Sequence, residues 1–451
     1  MKKLFLLAFV LLLPGFVIAQ DINKILEERL KQEPVGSAVS ATVVDESGVK
    51  FYNTGTVSKK PNANAADKDT VYEIGSITKV FTGILLAEAI KRGEVKLDDP
   101  LSKYLPESVK APEFGGKEIT LLDLTTHGSS LPSLTDDFKP NDPLNPYANF
   151  TIEQLYAFLG RVKLEREIGS KFEYSNIGVG LLGHILAEQA KMSYEDLVKA
   201  RILKPLKMND SAVTFTPSMK SHLAYGHNAE GKQTSNWDLP AIAGAGALRS
   251  TAADMAKFLS ANMGLTKTKI SDSLAEARKI RKTYDTPPFK IGFNWITSVS
   301  GGKDIIWHNG GTGGYRAFAG IDQDAKKGVF VVTNGSASAD DIGFHILNPS
   351  VPLRKIEKPR ATVSLSEEVL EKYVGEYELA PNVLATMTRE KDRLFGQLTG
   401  QPRFELFAEK EDHFFLKAVK ADVKFTRDES GNVTGFVLLQ DGNTTNAKKI
   451  K

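Results

Sequence analysis

Strand-like segments at both ends of the first three-quarters of the chain flank a long helical middle, and this order constrains the fold most strongly. Strands are predicted over 36–46 and 50–56, and 71–265 is mostly helical. Four later strands are separated by turns that contain Gly or Asp: 291–298, 304–308, 315–321 and 329–333. Strands from the two ends can close one sheet with helices packed against it. The sequence therefore predicts an α/β (α+β) protein with one antiparallel sheet flanked by a helical domain.

The last part of the chain has a different character. Prolines and basic residues over 349–364 indicate a linker after a first domain at 20–348. Beyond it, short strands recur at hairpin spacing over 373–377, 383–387, 393–398, 404–407, 413–416 and 436–439. This pattern predicts a small β-barrel or curled sheet over 365–451.

The first residues, 1–19, have the pattern of a secretory signal peptide. Two lysines precede ten apolar residues, Pro14-Gly15 breaks the run, and Ala19 offers a cleavage point. A retained membrane anchor is the weaker alternative because the apolar run is short and broken. We therefore expect an exported protein, periplasmic if the source is a bacterium, with no transmembrane segment.

Charge and composition exclude several classes of partner. Once Lys2 and Lys3 are removed, 56 of the 58 basic residues remain against 55 acidic ones, so nothing suggests a nucleic-acid partner. The chain has no cysteine, and its seven histidines form no cluster with metal-ligand spacing. We expect neither a metal nor an organic cofactor, and the sequence does not set the oligomeric state.

Ser76-Ile77-Thr78-Lys79 places a hydroxyl and an amine one turn apart at the start of an apolar-periodic helix. A serine becomes a nucleophile when a neighbouring base takes its proton, and burial lowers the pKa of an amine enough for this. The same spacing recurs at Ser47 and Ser300, but glycine beside those serines indicates turns. The alternative interpretation is that Ser76 only caps the helix and Lys79 faces solvent, in which case neither residue is catalytic.

Two further segments carry polar groups suited to an amide substrate. In Tyr174-Ser175-Asn176, the phenol can relay a proton and the amide can bind a substrate amide. In His308-Asn309-Gly310-Gly311, glycines at a strand end let a substrate pair with the strand, and the Gly311 N–H could join that of Ser76 in an oxyanion hole. Taken alone, each segment is more often structural, as is the similar Tyr147-Ala148-Asn149.

Other patterns are set aside. The Gly-x-Gly-x-x-Gly at 178–183 lies inside an apolar helix rather than in a strand-to-helix turn, so its glycines favour close helix packing over dinucleotide binding. His127 in a loop is expected to satisfy backbone groups. Arg249 could meet a substrate carboxylate, although a solvated or salt-bridged arginine is the safer interpretation. No Gly-x-Ser-x-Gly elbow of α/β-hydrolases occurs.

Taken in order, Ser76-x-x-Lys79, Tyr174-x-Asn176 and His308-x-Gly310 resemble the motifs of the penicillin-recognising serine hydrolases. The tyrosine variant resembles the class C β-lactamase and D-Ala-D-Ala carboxypeptidase branch, peptidase family S12. This resemblance spans about 35–345 and implies a β-lactamase/transpeptidase-like fold. The tail is similar to the lipocalin-like C-terminal domain of some members.

The resemblance implies catalytic roles for Ser76 as the acylated nucleophile, Lys79 as its base and Tyr174 as the proton shuttle. It implies that Asn176 and the His308–Gly311 strand, with Gly310 at its centre, bind the substrate, and that no cofactor is needed. Two departures from the family pattern matter. Relatives usually have lysine where this chain has His308, which is mostly neutral near pH 7. The loop after His127 reads Gly-Ser-Ser where relatives more often have Thr-Ser-Gly.

Several functions stay open on this basis. The expected substrates are β-lactams or D-amino-acid peptides of the peptidoglycan type, with esters as the near alternative. A sensor that stays acylated by a β-lactam or muropeptide belongs to a different class of function. The tail could carry a lipophilic ligand or serve only as a packing or oligomerisation module.

Overall fold

The computed structural model describes residues 14–32, 36–285, 288–355, 360–380, 383–399, 403–417, 421–440 and 443–451. The chain divides into two compact units, Met1–Ile356 and Glu357–Lys451. The predicted signal peptide falls largely on residues outside the described ranges, so its cleavage, like the predicted domain limits, stays a prediction. No helix within the described ranges is long and apolar enough to cross a bilayer.

In the first unit, the strands of the main sheet come from the two ends and most helices lie between them, as the sequence predicts, but much of 71–265 is loop rather than helix. Its strands are β1 (Ala38–Asp45), β2 (Gly48–Gly55), β3 (Val71–Glu73), β4 (Glu113–Phe114), β5 (Lys117–Glu118), β6 (Arg249–Thr251), β7 (Lys282–Asp285), β8 (Pro288–Ile291), β9 (Ile296–Ser300), β10 (Lys303–Gly311), β11 (Arg316–Asp322) and β12 (Lys327–Thr333). Its helices are α1 (Pro14–Gln32), α2 (Thr78–Lys91), α3 (Leu121–Thr125), α4 (Ile152–Leu159), α5 (Asn176–Ala190), α6 (Tyr194–Val198), α7 (Lys204–Leu206), α8 (Pro217–Ser221), α9 (Ala243–Gly246), α10 (Ala252–Asn262), α11 (Ser271–Arg278) and α12 (Asp340–Leu347).

One antiparallel sheet joins the two ends of this unit. Its strand order is β2-β1-β12-β11-β10-β9-β8-β7, and β1 pairs with β12 so that Val39 lies opposite Thr333. The predicted closure of the sheet by N-terminal and C-terminal strands is therefore confirmed. The strand β10, which ends at Gly311, lies between β11 and β9.

Helices cover both faces of the sheet, so its central strands are almost continuously apolar. In β12, Phe330 and Val332 belong to the large core shared with the helical layer, whereas Val329 and Val331 belong to a second core. That second core includes Ile22 of α1 and Ile342 of α12. The alternation of β12 side chains thus separates the two cores.

The helix α2 is buried on nearly all sides rather than along one face. Every residue from Thr78 to Ala89 is buried, including Lys79. Close packing depends on glycine: a Cβ at Gly83 would lie 2.2 Å from the carbonyl oxygen of Phe293, and one at Gly180 of α5 would lie 2.4 Å from Ile242. The glycines of the set-aside pattern thus serve helix packing, as predicted.

One strand prediction was wrong. The segment 291–298 is two strands, β8 and β9, joined by a tight turn. The Gly292 N–H donates to the Trp295 carbonyl at 2.8 Å, and Asn294 takes a left-handed φ of 61°. Asparagine tolerates this conformation, which lets the chain reverse inside an apolar run.

The second unit is a closed antiparallel barrel, which confirms the predicted β-barrel. Its strands are β13 (Gly375–Ala380), β14 (Val383–Glu390), β15 (Arg393–Leu398), β16 (Arg403–Lys410), β17 (His413–Leu416), β18 (Ala421–Arg427), β19 (Val433–Gln440) and β20 (Asn443–Lys449), and the helix α13 (Glu367–Glu371) precedes them. Sequence patterns missed β18 and β20. In β20, Ala447 alone is buried, so no apolar alternation marks the strand.

Candidate active site

Ser76 lies in a short 3₁₀ turn, Gly75–Ile77, between β3 and α2. The turn lies against the end of β10. Gly75 has a left-handed φ of 51°, and a Cβ there would lie 2.7 Å from the Gly311 nitrogen. A glycine is therefore required beside the serine, both for the backbone conformation and for the close approach of the two segments.

Lys79 is 0% exposed, and its Nζ lies 3.0 Å from Ser76 Oγ. Nζ also lies 2.7 Å from Asn176 Oδ1 and 2.7 Å from the carbonyl oxygen of Ala245. Burial holds the pKa of the amine well below its usual value. The alternative of a solvated lysine is therefore wrong.

The partners of Lys79 direct its lone pair. The Asn176 and Ala245 oxygens only accept hydrogen bonds, so they take both N–H groups of a neutral amine. The third position of the nitrogen faces Ser76 Oγ: in the neutral amine it is the lone pair, and in the ammonium form it is an N–H that donates to the serine. Asn176 is held in this orientation because its Nδ2 donates to Ser133 Oγ at 3.1 Å.

Tyr174 lies over Lys79 just before α5. The Lys79 Nζ is 4.7 Å from the centre of the phenol ring. Burial raises the pKa of Tyr174 above its usual value, and a hydrogen bond with the Ser76 side chain partly offsets this effect. The phenol therefore keeps its proton at neutral pH, and it lies close enough to Ser76 for the serine to influence its pKa.

His308 enters the same site from β10 and is 1% exposed. Its Nδ1 lies 2.6 Å from the Asn309 carbonyl oxygen, so Nδ1 carries the proton in this contact. Burial, with a smaller effect of the nearby Lys79, lowers the pKa of His308 to about 3. The imidazole is therefore neutral, and its ring centre lies 6.2 Å from that of Tyr174.

The glycines of β10 let the strand approach the serine turn. A Cβ at Gly310 would lie 1.9 Å from the Ile74 carbonyl oxygen and 3.0 Å from the Ser76 nitrogen. Together with the contact between Gly75 and Gly311, this brings the main-chain N–H groups of Ser76 and Gly311 into one junction. Such paired donors suit a developing oxyanion.

His127 is a site residue whose role sequence reasoning predicted only in part. Its Nδ1 accepts a hydrogen bond from the Ser175 N–H at 3.1 Å, which is the expected backbone contact. Its ring also stacks on Tyr174 with centres 4.6 Å apart, and burial holds its pKa well below the usual value. No local spacing signals this contact, because the two residues are far apart in the chain.

Two other candidates lie in structural contacts. Arg249 forms a buried ion pair with Glu73 at 3.4 Å and donates to the Trp237 carbonyl at 2.5 Å, so the salt-bridged interpretation holds. Tyr147 packs against Trp237 with ring centres 5.1 Å apart. Across the described ranges, no three His, Asp or Glu side chains form a group that could hold a metal ion.

Residues 22–345 match the family model described as beta-lactamase. The chain belongs to the beta-lactamase family. Residues 359–449 match a second model, described as a domain of unknown function. The match confirms the resemblance that the three motifs indicated, and the member described here is a serine hydrolase.

Curated relatives of this beta-lactamase family member have related names. It is 29% identical to the D-alanyl-D-alanine-carboxypeptidase/endopeptidase AmpH of Escherichia coli (strain K12), over 67% of this chain and 80% of that protein. It is 28% identical to penicillin-binding protein 4* of Bacillus subtilis (strain 168), over 85% and 88%. It is 30% identical to a beta-lactamase of Providencia stuartii, over 61% and 68%.

Solved structures confirm the fold. A class C beta-lactamase from Rhodobacter sphaeroides aligns with a TM-score of 0.64 at 21% identity, over 74% of this chain and 100% of that one. A beta-lactamase/D-alanine carboxypeptidase from Yersinia pestis complexed with citrate aligns with a TM-score of 0.65 at 24% identity, over 74% and 98%. The first unit thus has the predicted β-lactamase/transpeptidase-like fold.

Proposed function

We propose that this serine hydrolase forms an acyl-enzyme on Ser76 and hydrolyses amide bonds of D-amino-acid peptides or β-lactams. The observation that carries the proposal is the environment of Lys79. It is fully buried, two neutral acceptors hold it, and its third position faces Ser76 Oγ at 3.0 Å. A buried amine with a lowered pKa is a base that can activate a serine.

The proposed acylation step moves one proton and exchanges one bond. The Lys79 lone pair takes the proton of Ser76 as Oγ attacks the substrate carbonyl carbon. The N–H groups of Ser76 and Gly311 stabilise the resulting oxyanion. Tyr174 gives its proton to the leaving nitrogen and recovers one from the lysine, so the C–N bond breaks and an ester remains on Ser76.

Deacylation reverses these roles. A water molecule loses a proton to the Tyr174 and Lys79 pair, attacks the ester carbonyl, and releases the acid while Oγ regains its proton. Asn176 Nδ2 and the end of β10 at Gly310 and Gly311, which lies beyond the pairing of β10 with β9, are suited to hold the amide of the substrate. The names of the relatives, which include a carboxypeptidase and beta-lactamases, support an amide substrate.

Ester hydrolysis is a second candidate, and the neutral state of His308 favours it. With a pKa near 3, His308 supplies no positive charge to a substrate carboxylate at neutral pH. A substrate that lacks a carboxylate does not need this positive charge for binding. An activated serine and an oxyanion hole serve esters as well as amides.

A substrate panel tests both candidates. A chromogenic cephalosporin, a D-Ala-D-Ala peptide and a short nitrophenyl ester would be assayed with Ser76→Ala and with a matched control, Ser47→Ala. Ser47 shares the Ser-x-x-Lys spacing but lies in the exposed β1–β2 turn. We expect all activity to fall to background in Ser76→Ala and to persist in Ser47→Ala; activity that survives in Ser76→Ala refutes the mechanism.

Mass spectrometry separates turnover from sensing. A transient increase in mass on Ser76 with a β-lactam, followed by release of the hydrolysed product, supports the enzyme. An adduct that persists without product supports the penicillin- or muropeptide-binding sensor.

We also propose export, because residues 1–19 have signal-peptide features. Mass spectrometry of the protein purified from its native compartment should then show a new N-terminus after Ala19. A retained N-terminal segment would contradict this proposal.

A further inference from the structure

The barrel interior is filled with aromatic side chains at one end. Tyr373, Tyr377, Phe414 and Phe425 are buried there, and their neighbouring ring centres lie between 4.4 and 5.9 Å apart. Leu370 of α13 belongs to the same core. This end is packed as a protein interior usually is.

Polar contacts close the same end. The Tyr373 hydroxyl donates to Asp412 Oδ1 at 2.9 Å, and Arg427 Nη2 lies 2.7 Å from that oxygen. The Tyr377 hydroxyl donates to the Tyr373 carbonyl at 2.8 Å. A small molecule therefore has no path into the barrel between these residues.

Beyond the aromatic residues, the barrel encloses a cavity of about 190 Å³. Inward-facing residues of β14 to β19 line it, and small or apolar side chains predominate, such as Ala385, Met387, Leu406, Ala421 and Leu438. A dry apolar cavity of roughly 150 Å³ is known to bind benzene in another protein. This cavity therefore has room for about six to eight carbon atoms by the same proportion.

Two polar side chains, Gln397 and Gln440, are among the lining residues, and Gln440 lies at the rim of the cavity. The inward-facing row of β19 runs Phe436, Leu438, Gln440, and exposure increases from the first residue to the other two. Within the described part of the chain, the Gln440 amide makes no side-chain hydrogen bond. None of the lining residues is charged. A ligand with an uncharged hydrogen-bonding end matches this arrangement, because a charged group would be desolvated without a partner.

We infer that the barrel of the second unit is a binding site for a small aliphatic molecule of about six to eight carbons with an uncharged polar end. The aliphatic part of the ligand enters the apolar cavity, and its polar end forms a hydrogen bond with the Gln440 amide. This site is independent of the chemistry at Ser76. It answers the open question about the tail in favour of a ligand site over a packing module alone.

Calorimetric titration of the full chain with 1-heptanol tests the inference. We expect saturable binding of one molecule, weakened at least tenfold in Ala385→Leu and in Ala421→Leu, because leucine at either position fills the cavity. The matched control is Thr386→Leu, since Thr386 adjoins Ala385 in β14 but is not part of the cavity lining. Binding by the control should equal that of the wild type.

A second measurement does not depend on how well the variants fold. The methyl group of Met387 lines the cavity, so its resonance in methyl-labelled wild-type protein should shift on addition of 1-heptanol. Heptanoate and heptylammonium should bind at least tenfold more weakly than the alcohol. Failure of 1-heptanol to saturate or to shift the Met387 methyl, or equal binding by Ala421→Leu and wild type, would overturn the site; equal binding of the charged compounds would overturn its preference for an uncharged end.

Discussion

Replacing Asn176 by aspartate gives the sharpest test of how Lys79 acts. The Asn176 Oδ1 already lies 2.7 Å from Lys79 Nζ, so Asn176→Asp changes charge with little change in shape. The new carboxylate would favour the ammonium form of the lysine and raise its pKa. A lysine that holds its proton cannot take one from Ser76.

The distance sets the size of the effect. Two unit charges 2.7 Å apart interact by about 6 kcal/mol at an effective dielectric constant of about 20, which corresponds to a pKa shift of about 4 units. Desolvation of the new carboxylate opposes part of this. We therefore expect the pKa of Lys79 to rise by about 2 units or more.

The pH dependence of kcat/KM reports the pKa of the free enzyme's base. A base must be deprotonated to act, so the acidic limb of the profile should move to higher pH in Asn176→Asp. Activity at pH 7 should then fall by up to about a hundredfold for a rise of about 2 units, and recover as the pH rises. Asn176→Ala is the control, because it removes the acceptor without adding charge and leaves no reason for an upward shift. An acidic limb in Asn176→Asp that stays at its wild-type pH would refute the role of Lys79 as the base.

Four further substitutions test the site. Gly310→Ala should abolish activity, because the added Cβ would lie 1.9 Å from the Ile74 oxygen. Gly311→Ala should retain the fold, since the nearest contacts of its Cβ are at 3.4 Å on a flexible arginine. Equal thermal stability of the two variants would contradict this difference. His127→Ala should lower the free energy of unfolding by about 2 kcal/mol and reduce kcat more than it raises KM, because it removes a ring stack and a backbone acceptor; unchanged denaturant midpoints would argue against it. His308 is neutral in the folded protein, whereas in the unfolded chain it titrates near pH 6.5. The free energy of unfolding should therefore decrease as the pH falls from about 6.5 towards 3, by up to about 1.4 kcal/mol per pH unit. The variant His308→Gln should reduce this slope in denaturant titrations.

Sequence patterns correctly predicted those contacts and strands that depend on residues close together in the sequence. The spacing of Ser76 and Lys79 predicted their contact, because residues three apart on a helical turn share a face. The Ala and Val residues of β1 predicted a strand, although not that both of its faces are buried. The break at Asn294 was missed because an apolar run conceals a turn that depends on one left-handed residue.

Contacts between distant segments were beyond sequence reasoning alone. His127 stacks on Tyr174, and the Ala245 carbonyl binds Lys79, only because α3, α5 and α9 converge at the start of α2. A backbone oxygen carries no residue signature, so no motif could have marked Ala245. Polar β20 was missed for a related reason: it completes the barrel by backbone pairing with its neighbours rather than by its own apolar side chains.

The three motifs act together because glycine lets their main chains touch. Ser76 could form its contact with Lys79 on any helix, but the second proposed oxyanion donor, beside the Ser76 N–H, comes from another segment, at Gly311. A Cβ at Gly75 or at Gly310 would separate the serine turn from β10. In the proposed mechanism, the distance between the nucleophile and the oxyanion donors is thus set by glycines, while Lys79 sets the reactivity of the serine. Stability and chemistry should therefore respond differently at this junction: substitutions of Gly75 or Gly310 should disturb both, whereas Asn176→Asp should shift the pH profile and remove the hydrogen bond that the Asn176 Nδ2 donates.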